Sequence, residues 1–214
     1  MSVDIEKAAL RKHFLEKRDA VSADLREISS AKIYNYLKQS EPYKHSQNIS
    51  CYFSIGSEVD THSIMLDILS NGKNLLLPTV VNNDLEFRIV TDLKKLEKGH
   101  FGIMEPRDDL KKSEEIDCVI VPTVAISKSG TRLGYGRGYY DKFLAKANVM
   151  KISLTYSTQI VGSIPSDSHD VNMDWIVTEE GIIKSSYIRQ NFFTNVMSII
   201  FTRPRNLFSS FVCI

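Results

Sequence analysis

The sequence is poor in the residues that would place it in several large classes of protein. It has only three cysteines, Cys51, Cys118 and Cys213, in 214 residues. They are odd in number and far apart, so they form neither a disulfide framework nor a CxxC metal pair. We expect buried thiols in a reducing compartment.

Targeting segments and long apolar runs are also missing. The N-terminus is acidic and lacks the apolar core of a secretory signal. The most apolar run, residues 196–201, is far shorter than the roughly 18 residues that span a bilayer. The net charge of +1 gives no field that would attract nucleic acid or a membrane. We therefore expect a soluble, cytoplasmic protein that binds neither, and a monomer.

Hydrophobic periodicity predicts strands and helices in alternation. Helical spacing covers residues 4–20, and a second helix begins after the N-cap Ser22. Residues 117–126 read as one continuous buried strand. The pattern predicts an α/β fold: a layered open sheet, mostly parallel and Rossmann-like, with helices on both faces and ligands at the carboxyl ends of the strands.

The chain divides into two parts by composition. Residues 1–188 are predicted to form a single domain, since this length can bury one sizeable core. Residues 189–214 fit neither a regular helix nor a core strand, and they form a C-terminal extension of unknown role. We interpret it as a loosely attached tail in preference to an amphipathic surface anchor.

A glycine-rich stretch, residues 130–141, lies between a buried strand and a helix. Glycine lets backbone N–H groups approach an anion, and nearby arginines add positive charge. The stretch is neither a P-loop nor a GxGxxG fingerprint. On spacing alone, a phosphate cradle and an ordinary turn with surface arginines are equally supported. Asp141 follows, and beside phosphates its carboxylate would need a metal ion.

Several motifs in order resemble those of the 5-formyltetrahydrofolate cyclo-ligase family, also called methenyltetrahydrofolate synthetase. The stretch RLGYGRGYYDKFL at 132–144 closely resembles the family signature. The pair Lys7 and Arg11 and the segments 52–61, 101–106, 156–159 and 169–174 are similar to its other elements. The resemblance covers residues 4–184, departs locally at 125–127, and implies a fold of the sugar-phosphate isomerase/CoA-transferase type.

The resemblance implies an ATP site with Mg²⁺ as cofactor. Its ATP-binding positions are Lys7, Arg11, Arg132, Leu133, Gly134, Tyr135, Gly136, Arg137, Gly138, Tyr139 and Tyr140. Arg137 and Tyr140 would be catalytic, with Arg137 stabilising charge on the transferred γ-phosphoryl group. Asp141 and Asp170 resemble the magnesium ligands, which is reasonable because Mg²⁺ accepts a few carboxylates together with phosphate oxygens.

The folate substrate is assigned in the same way. The implied contacts are Phe53, Glu58, Tyr135 and Tyr139. Phe53 would stack on the pterin and Glu58 would accept hydrogen bonds from its donor edge. For His169, orientation of Asp170 and proton transfer remain equally open.

The implied reaction is ATP- and Mg²⁺-dependent cyclisation of 5-formyltetrahydrofolate to 5,10-methenyltetrahydrofolate, with release of ADP and phosphate through a phosphorylated formyl group. The sequence offers no Ser/His/Asp or Cys/His nucleophilic set, which agrees with catalysis by positioning and charge. Two alternatives remain. One is a non-catalytic nucleotide- or folate-binding relative on the same scaffold, and the other is a sugar-phosphate or acyl-CoA enzyme on a similar sheet.

Overall fold

The computed structural model of the protein describes residues 3–99 and 102–186. His100, Phe101, Cys213 and the predicted extension 189–214 lie outside the described residues. The α-helices of the described part are α1 (Val3–Asp19), α2 (Ala23–Gln39), α3 (Glu41–His45), α4 (His62–Ser70) and α5 (Tyr139–Leu144). Within these residues, no helix has the length and apolar character needed to cross a membrane.

The strands fall into three sheets. The strands are β1 (Asn48–Ser50), β2 (Asn74–Val81), β3 (Asp84–Val90), β4 (Leu96–Lys98), β5 (Met104–Pro106), β6 (Cys118–Val121), β7 (Ala125–Ser127), β8 (Arg132–Leu133), β9 (Met150–Leu154), β10 (Ile160–Val161), β11 (Trp175–Thr178) and β12 (Gly181–Lys184). Seven strands form the main sheet in the order β12-β11-β9-β6-β1-β2-β3. The second sheet has the order β10-β7-β8, and β4 pairs with β5.

The main sheet is parallel at its centre and antiparallel at its edges. Strand β1 pairs in parallel with β2 and β6, and the parallel ladder continues through β9 to β11. The edge strands β3 and β12 are antiparallel to their neighbours. The prediction of a mostly parallel sheet is therefore confirmed. The central strand β6 is apolar and buried on both faces, as a sheet covered on both sides requires.

Helices cover both faces of this sheet, as predicted. On one face, Ile33 of α2 and Ile64 of α4 belong to the same buried cluster as the sheet residues Ile49 and Ile120. On the other face, Leu144 of α5 belongs to a second buried cluster together with Val119 and Ile176 of the sheet. Helix α1 lies instead on the second sheet, where Phe14 meets Ala125 and Leu133. This position brings α1 to the glycine-rich stretch.

The prediction of a continuous strand over residues 117–126 is wrong. Strand β6 ends at Val121, and β7 begins at Ala125 in a different sheet. Pro122 lies at the break, and it lacks the N–H that a central strand would donate to the ladder. Gln159 secures the crossing by donating hydrogen bonds from its amide to the carbonyls of Thr123 and Val124, at 3.2 and 2.7 Å.

Candidate active site

A large cleft opens at the carboxyl ends of the central strands. Its volume is about 930 Å³. Tyr52 and Phe53 follow β1, Thr79 lies in the second half of β2, and Pro122 follows β6; all of them line the cleft. Strands β2 and β6 flank β1 on opposite sides, so the direction in which the sheet grows reverses at this point. Open α/β sheets bind ligands at such a switch point, as the sequence predicted.

Every residue predicted to bind ATP, folate or magnesium lines this cleft. They are Lys7, Arg11, Phe53, Glu58, Arg132, Leu133, Gly134, Tyr135, Gly136, Arg137, Gly138, Tyr139, Tyr140, Asp141 and Asp170. These residues are far apart in the sequence, so tertiary contacts are needed to bring them into one cleft. The roles given to them individually remain predictions.

Lys7 and Arg11 point from α1 into the cleft. Lys7 is only 5% exposed, which rules out a solvated basic stripe. Its ammonium donates hydrogen bonds to Asp167 and Asp170 at 2.8 and 2.5 Å. Arg11 Nε donates to the carbonyl oxygen of Gly134 at 2.9 Å, and this bond connects α1 to the glycine-rich stretch. The four-residue spacing therefore presents both cations to one site.

Two carboxylates hold the ammonium of Lys7 in its charged form. Burial by itself would lower the pKa of Lys7, but hydrogen bonds and ion pairs with Asp167 and Asp170 outweigh it, so the pKa lies above its ordinary value. The hydrogen bond from Lys7 lowers the pKa of Asp167 to about 2, helped by the backbone N–H of His169. Sequence reasoning missed Asp167, although it stands three residues before Asp170 in the same loop.

Only part of the glycine-rich stretch lines the cleft. Gly130 belongs to the turn between β7 and β8, where its N–H donates to Ser127, and it does not line the cleft. The cleft-lining part begins at Arg132. Gly136 has φ +93°, and a Cβ there would lie 3.3 Å from the guanidinium carbon of Arg11. Gly138 has φ +70° and caps α5. Both positions favour glycine because L side chains rarely adopt these angles.

Charge, more than a helix dipole, makes this end of the cleft attractive to anions. Helix α5 is only six residues long, so its aligned peptide dipoles are few. Arg137 is exposed at the cleft. Arg132, in contrast, is buried and donates to Asp141 at 2.8 Å and to the carbonyl of Pro122 at 3.1 Å. These bonds connect the glycine-rich stretch to Pro122 after β6 and to Asp141 in α5.

Another part of the cleft contains a buried carboxylate. Glu58 is 8% exposed, whereas a loop glutamate is usually solvated. Its Oε1 accepts a 2.5 Å hydrogen bond from the hydroxyl of Tyr135, and its Oε2 accepts from the N–H of Ile55 at 2.8 Å. Burial raises the pKa of Glu58, and these two bonds and the charge of Arg18 oppose that rise. Phe53 is half-buried beside it.

Arg18 lies behind Tyr135 and was missed at the sequence level. It is 4% exposed, and its Nη2 donates to the Tyr135 hydroxyl at 3.0 Å. A signal was present in the sequence, because residues 7, 11 and 18 of a helix fall on nearly the same face. The face of α1 that carries Lys7 and Arg11 therefore also carries Arg18.

Two further predictions concern Tyr140 and His169. Burial raises the pKa of Tyr140, so its phenol remains a hydrogen-bond donor at neutral pH. The guanidinium of Arg132 lies 5.9 Å from its ring centroid. The imidazole of His169 is exposed and stands 3.3 Å from Asp167, and its backbone N–H donates to the same carboxylate. Neither contact reaches Asp170, which the sequence had named as its partner.

Asp141 and Asp170, the predicted magnesium ligands, lie near one another, and each pairs with a cation of the protein: Asp141 with Arg132 at 2.8 Å and Asp170 with Lys7 at 2.5 Å. Asp141 accepts a hydrogen bond from the N–H of Val171 at 3.3 Å, which brings it next to Asp170 in space. The described residues contain no group of three or more acidic, histidine or cysteine side chains that could hold a metal by themselves. Mg²⁺ requires no such group, since it commonly takes one or two carboxylates together with phosphate oxygens and water.

Comparison with known proteins identifies the family of this chain. A sequence profile described as the 5-formyltetrahydrofolate cyclo-ligase family matches residues 3–179. This chain belongs to the 5-formyltetrahydrofolate cyclo-ligase family. The match includes α1 and the glycine-rich stretch, and it ends before β12.

Three relatives align with this chain over more than nine tenths of their own length. The mouse protein named 5-formyltetrahydrofolate cyclo-ligase is 27% identical over 196 residues, which cover 84% of this chain and 97% of the mouse protein. The NMR structure of 5,10-methenyltetrahydrofolate synthetase from Aquifex aeolicus matches with a TM-score of 0.76 at 35% identity, over 83% of this chain and 92% of that one. The synthetase structure from Mycoplasma pneumoniae matches with a TM-score of 0.67 at 27% identity, over 81% and 99%. The predictions that the chain has this fold and is an enzyme of the cyclo-ligase family are confirmed.

Proposed function

We propose that this protein couples ATP to the cyclisation of 5-formyltetrahydrofolate, giving 5,10-methenyltetrahydrofolate, ADP and phosphate. The observation that carries the proposal is the make-up of the cleft lining. One part, which we call the phosphate end, has Lys7, Arg11, Arg137 and exposed glycine backbone, and the other, which we call the pterin end, has Phe53 and the buried carboxylate of Glu58. A triphosphate suits the first end, and a pterin with its row of N–H donors suits the second. Family membership supports the same assignment.

The chemistry requires a better leaving group than a formamide oxygen. The formyl oxygen attacks the γ-phosphorus, and the bond between that phosphorus and ADP breaks. N10 then attacks the activated carbon, the carbon–oxygen bond breaks, and phosphate departs with the former formyl oxygen. N10 loses its proton. Neither step needs a protein nucleophile, so the protein's contribution is orientation and charge stabilisation.

Particular residues would serve the two substrates. Lys7 and Arg11 would bind the phosphates from α1, and Arg137 would stabilise charge on the phosphoryl group as it is transferred. The N–H groups from Gly134 to Gly138 would complete the cradle. Asp141 and Asp170 would hold magnesium, which when bound neutralises phosphate charge.

Glu58 and Phe53 would orient the pterin so that the formyl oxygen faces the phosphates. A buried carboxylate that meets several donors discriminates strongly, since an analogue without those donors would leave it unsatisfied. Tyr139 and Tyr140 line the cleft and would exclude water from the activated formyl group.

The direct test is a spectrophotometric assay for methenyltetrahydrofolate formed from 5-formyltetrahydrofolate. We expect product only when ATP and a magnesium salt are both present, and ADP in equal amount. Lys7→Met should raise KM for ATP roughly tenfold or more, the loss expected for a hydrogen bond between charged groups. Lys12→Met is the matched control, since Lys12 is exposed on the same helix and does not line the cleft.

Absence of product under full conditions would overturn the proposal. If the protein then bound both ATP and 5-formyltetrahydrofolate in calorimetry, a non-catalytic binding relative would be the better description. If it bound a sugar phosphate or an acyl-CoA instead, the similarity of the cleft to the cyclo-ligases would concern the scaffold alone.

A further inference from the structure

Arg18 is a charged side chain buried beside the cleft without touching it. It is 4% exposed and is not among the lining residues. Its Nη1 has no hydrogen-bond partner within the described part of the chain. Burial of a guanidinium is unfavourable unless hydrogen bonds and opposite charges compensate. A guanidinium buried at such a cost to folding calls for an explanation beyond packing.

The hydrogen bonds of Arg18 connect three parts of the site. Its Nε donates to the hydroxyl of Ser57 at 2.9 Å, and Nη2 donates to the hydroxyl of Tyr135 at 3.0 Å. Ser57 in turn donates to the carboxylate of Asp19. Arg18 therefore joins the end of α1 to the loop that carries Glu58 and to the glycine-rich stretch that carries Tyr135.

The direction of these hydrogen bonds is fixed by chemistry. A guanidinium has donors only, so the Tyr135 oxygen must accept from Arg18. Its single proton is then directed to Glu58 Oε1, which lies 2.5 Å away. With the N–H of Ile55 on Oε2, each carboxylate oxygen has one protein donor. A carboxylate has about four acceptor sites, so about two remain for a ligand.

We propose that Arg18 is a positioning residue for the pterin: acting through Tyr135, it holds the Glu58 carboxylate as a fixed double acceptor for two N–H groups of the substrate. The inference rests on the proposed function, in which Glu58 receives the donor edge of 5-formyltetrahydrofolate. Arg18 touches neither substrate. Its effect is to orient the phenol and to place a permanent positive charge behind the carboxylate.

The electrostatics of the pocket agree with this arrangement. The titratable and charged groups that influence Glu58, or are influenced by it, are Arg18 from α1, Tyr52 after β1, and Tyr135 and Tyr140 from the glycine-rich stretch and α5. Burial raises the pKa of Glu58, and the three phenols are neutral at physiological pH. Arg18 is thus the one cation in this set, and it favours the ionised carboxylate that a double acceptor requires.

The first experiment compares Arg18→Met with Arg88→Met. Arg88 is an equally buried arginine, 5% exposed, that pairs with Asp108 away from the cleft. We expect Arg18→Met to raise KM for 5-formyltetrahydrofolate roughly tenfold, the equivalent of one hydrogen bond to a charged group. The rise should be larger at pH 6 than at pH 8, and kcat and KM for ATP should change little. Arg88→Met should lower Tm without moving the pH profile of KM.

The second experiment reads the carboxylate directly. NMR titration of the protein labelled with ¹³C at the glutamate carboxyl carbons, without any substrate, should show a higher pKa for Glu58 in Arg18→Met than in the wild type. Arg18→Lys should restore part of the difference, because lysine keeps a donor and the charge. Adding Tyr135→Phe to Arg18→Met should cost much less than the sum of the two single effects, since both variants break one chain of hydrogen bonds.

The outcomes separate this inference from the proposed function. An unchanged Glu58 pKa and an unchanged pH profile in Arg18→Met would overturn the positioning role, even if wild-type turnover is normal. A shifted Glu58 pKa in a protein that makes no product would support the role of Arg18 on the carboxylate while the proposed function fails. If Arg18→Met does not fold, Tyr135→Phe takes its place, and an unaltered pH profile there would equally overturn the inference.

Discussion

The phosphate end and the pterin end of the cleft differ in how exposed their charged side chains are. At the phosphate end, Arg137 is exposed, and the glycine-rich stretch presents backbone at positive φ. At the pterin end, Glu58 is buried and already has two protein donors. The phosphate end keeps an arginine exposed to solvent, whereas the carboxylate of the pterin end is enclosed and held by two protein donors before a ligand arrives. Loss of Arg137 should therefore affect turnover, and loss of a group at the pterin end should affect recognition of the folate.

The largest effect that tests this comparison is expected from Arg137→Ala. If Arg137 stabilises the transferred phosphoryl group as proposed, its loss should lower kcat by about 10³ or more. The Kd for 5-formyltetrahydrofolate should stay nearly constant, because the proposal assigns the folate to the other end. Rapid-quench or steady-state kinetics together with calorimetry would measure both quantities.

Arg107→Ala provides the matched control for Arg137. Arg107 is an exposed arginine that pairs with Asp109 and does not line the cleft. It should leave kcat unchanged. If Arg137→Ala weakened folate binding as much as it lowered kcat, Arg137 would merely hold the stretch together, and the distinction between the two ends would be lost.

A smaller effect is expected from Gly136→Ala. An added Cβ would be strained at φ +93° and would lie 3.3 Å from the guanidinium of Arg11. Displacement of Arg11 should raise KM for ATP about tenfold, the effect of one misplaced charged hydrogen bond. The control is Gly162→Ala, since a Cβ at Gly162 meets no atom within 4 Å. Equal KM values for ATP in the two variants would show that the phosphate end tolerates backbone change.

The smallest effect concerns stability and sharpens the account of the pterin end. Burial raises the folded-state pKa of Glu58 above its unfolded value. The folded protein therefore holds the proton more tightly, and the contribution of Glu58 to stability falls as pH rises from the unfolded pKa through the folded one. In Glu58→Gln this fall is absent, so the variant should gain stability relative to the wild type as the pH rises above about 4.

Urea unfolding across that pH range would measure the difference. Glu27→Gln is a suitable control, because Glu27 is exposed on α2. A difference between Glu58→Gln and the wild type that did not vary with pH would mean that Glu58 carries no desolvation penalty. The Glu58 carboxylate would then behave as a solvated one despite its burial.

Much of the fold could be predicted because its signals are local. Ser22 accepts a hydrogen bond from the N–H of Leu25 and begins α2 where the sequence placed it. The parallel centre of the sheet is indicated by a continuous apolar run such as β6, which is buried on both faces. The error over residues 117–126 has a physical cause: Pro122 interrupts the ladder, and an apolar run cannot indicate that its two halves belong to different sheets.

The family, the alternation of strands and helices, and many of the residues that line the cleft, although not Asp167, could be read from the sequence. This was possible because motif identity and periodicity are properties of the chain. Tertiary structure alone decided which polar groups are buried and with whom they pair: Lys7 with Asp167 and Asp170, Arg132 with Asp141, and Arg18 with Tyr135. A side chain's burial and hydrogen bonds depend on elements far away in sequence, so the same glutamate that reads as a solvated loop residue becomes, in the folded protein, the enclosed carboxylate of Glu58.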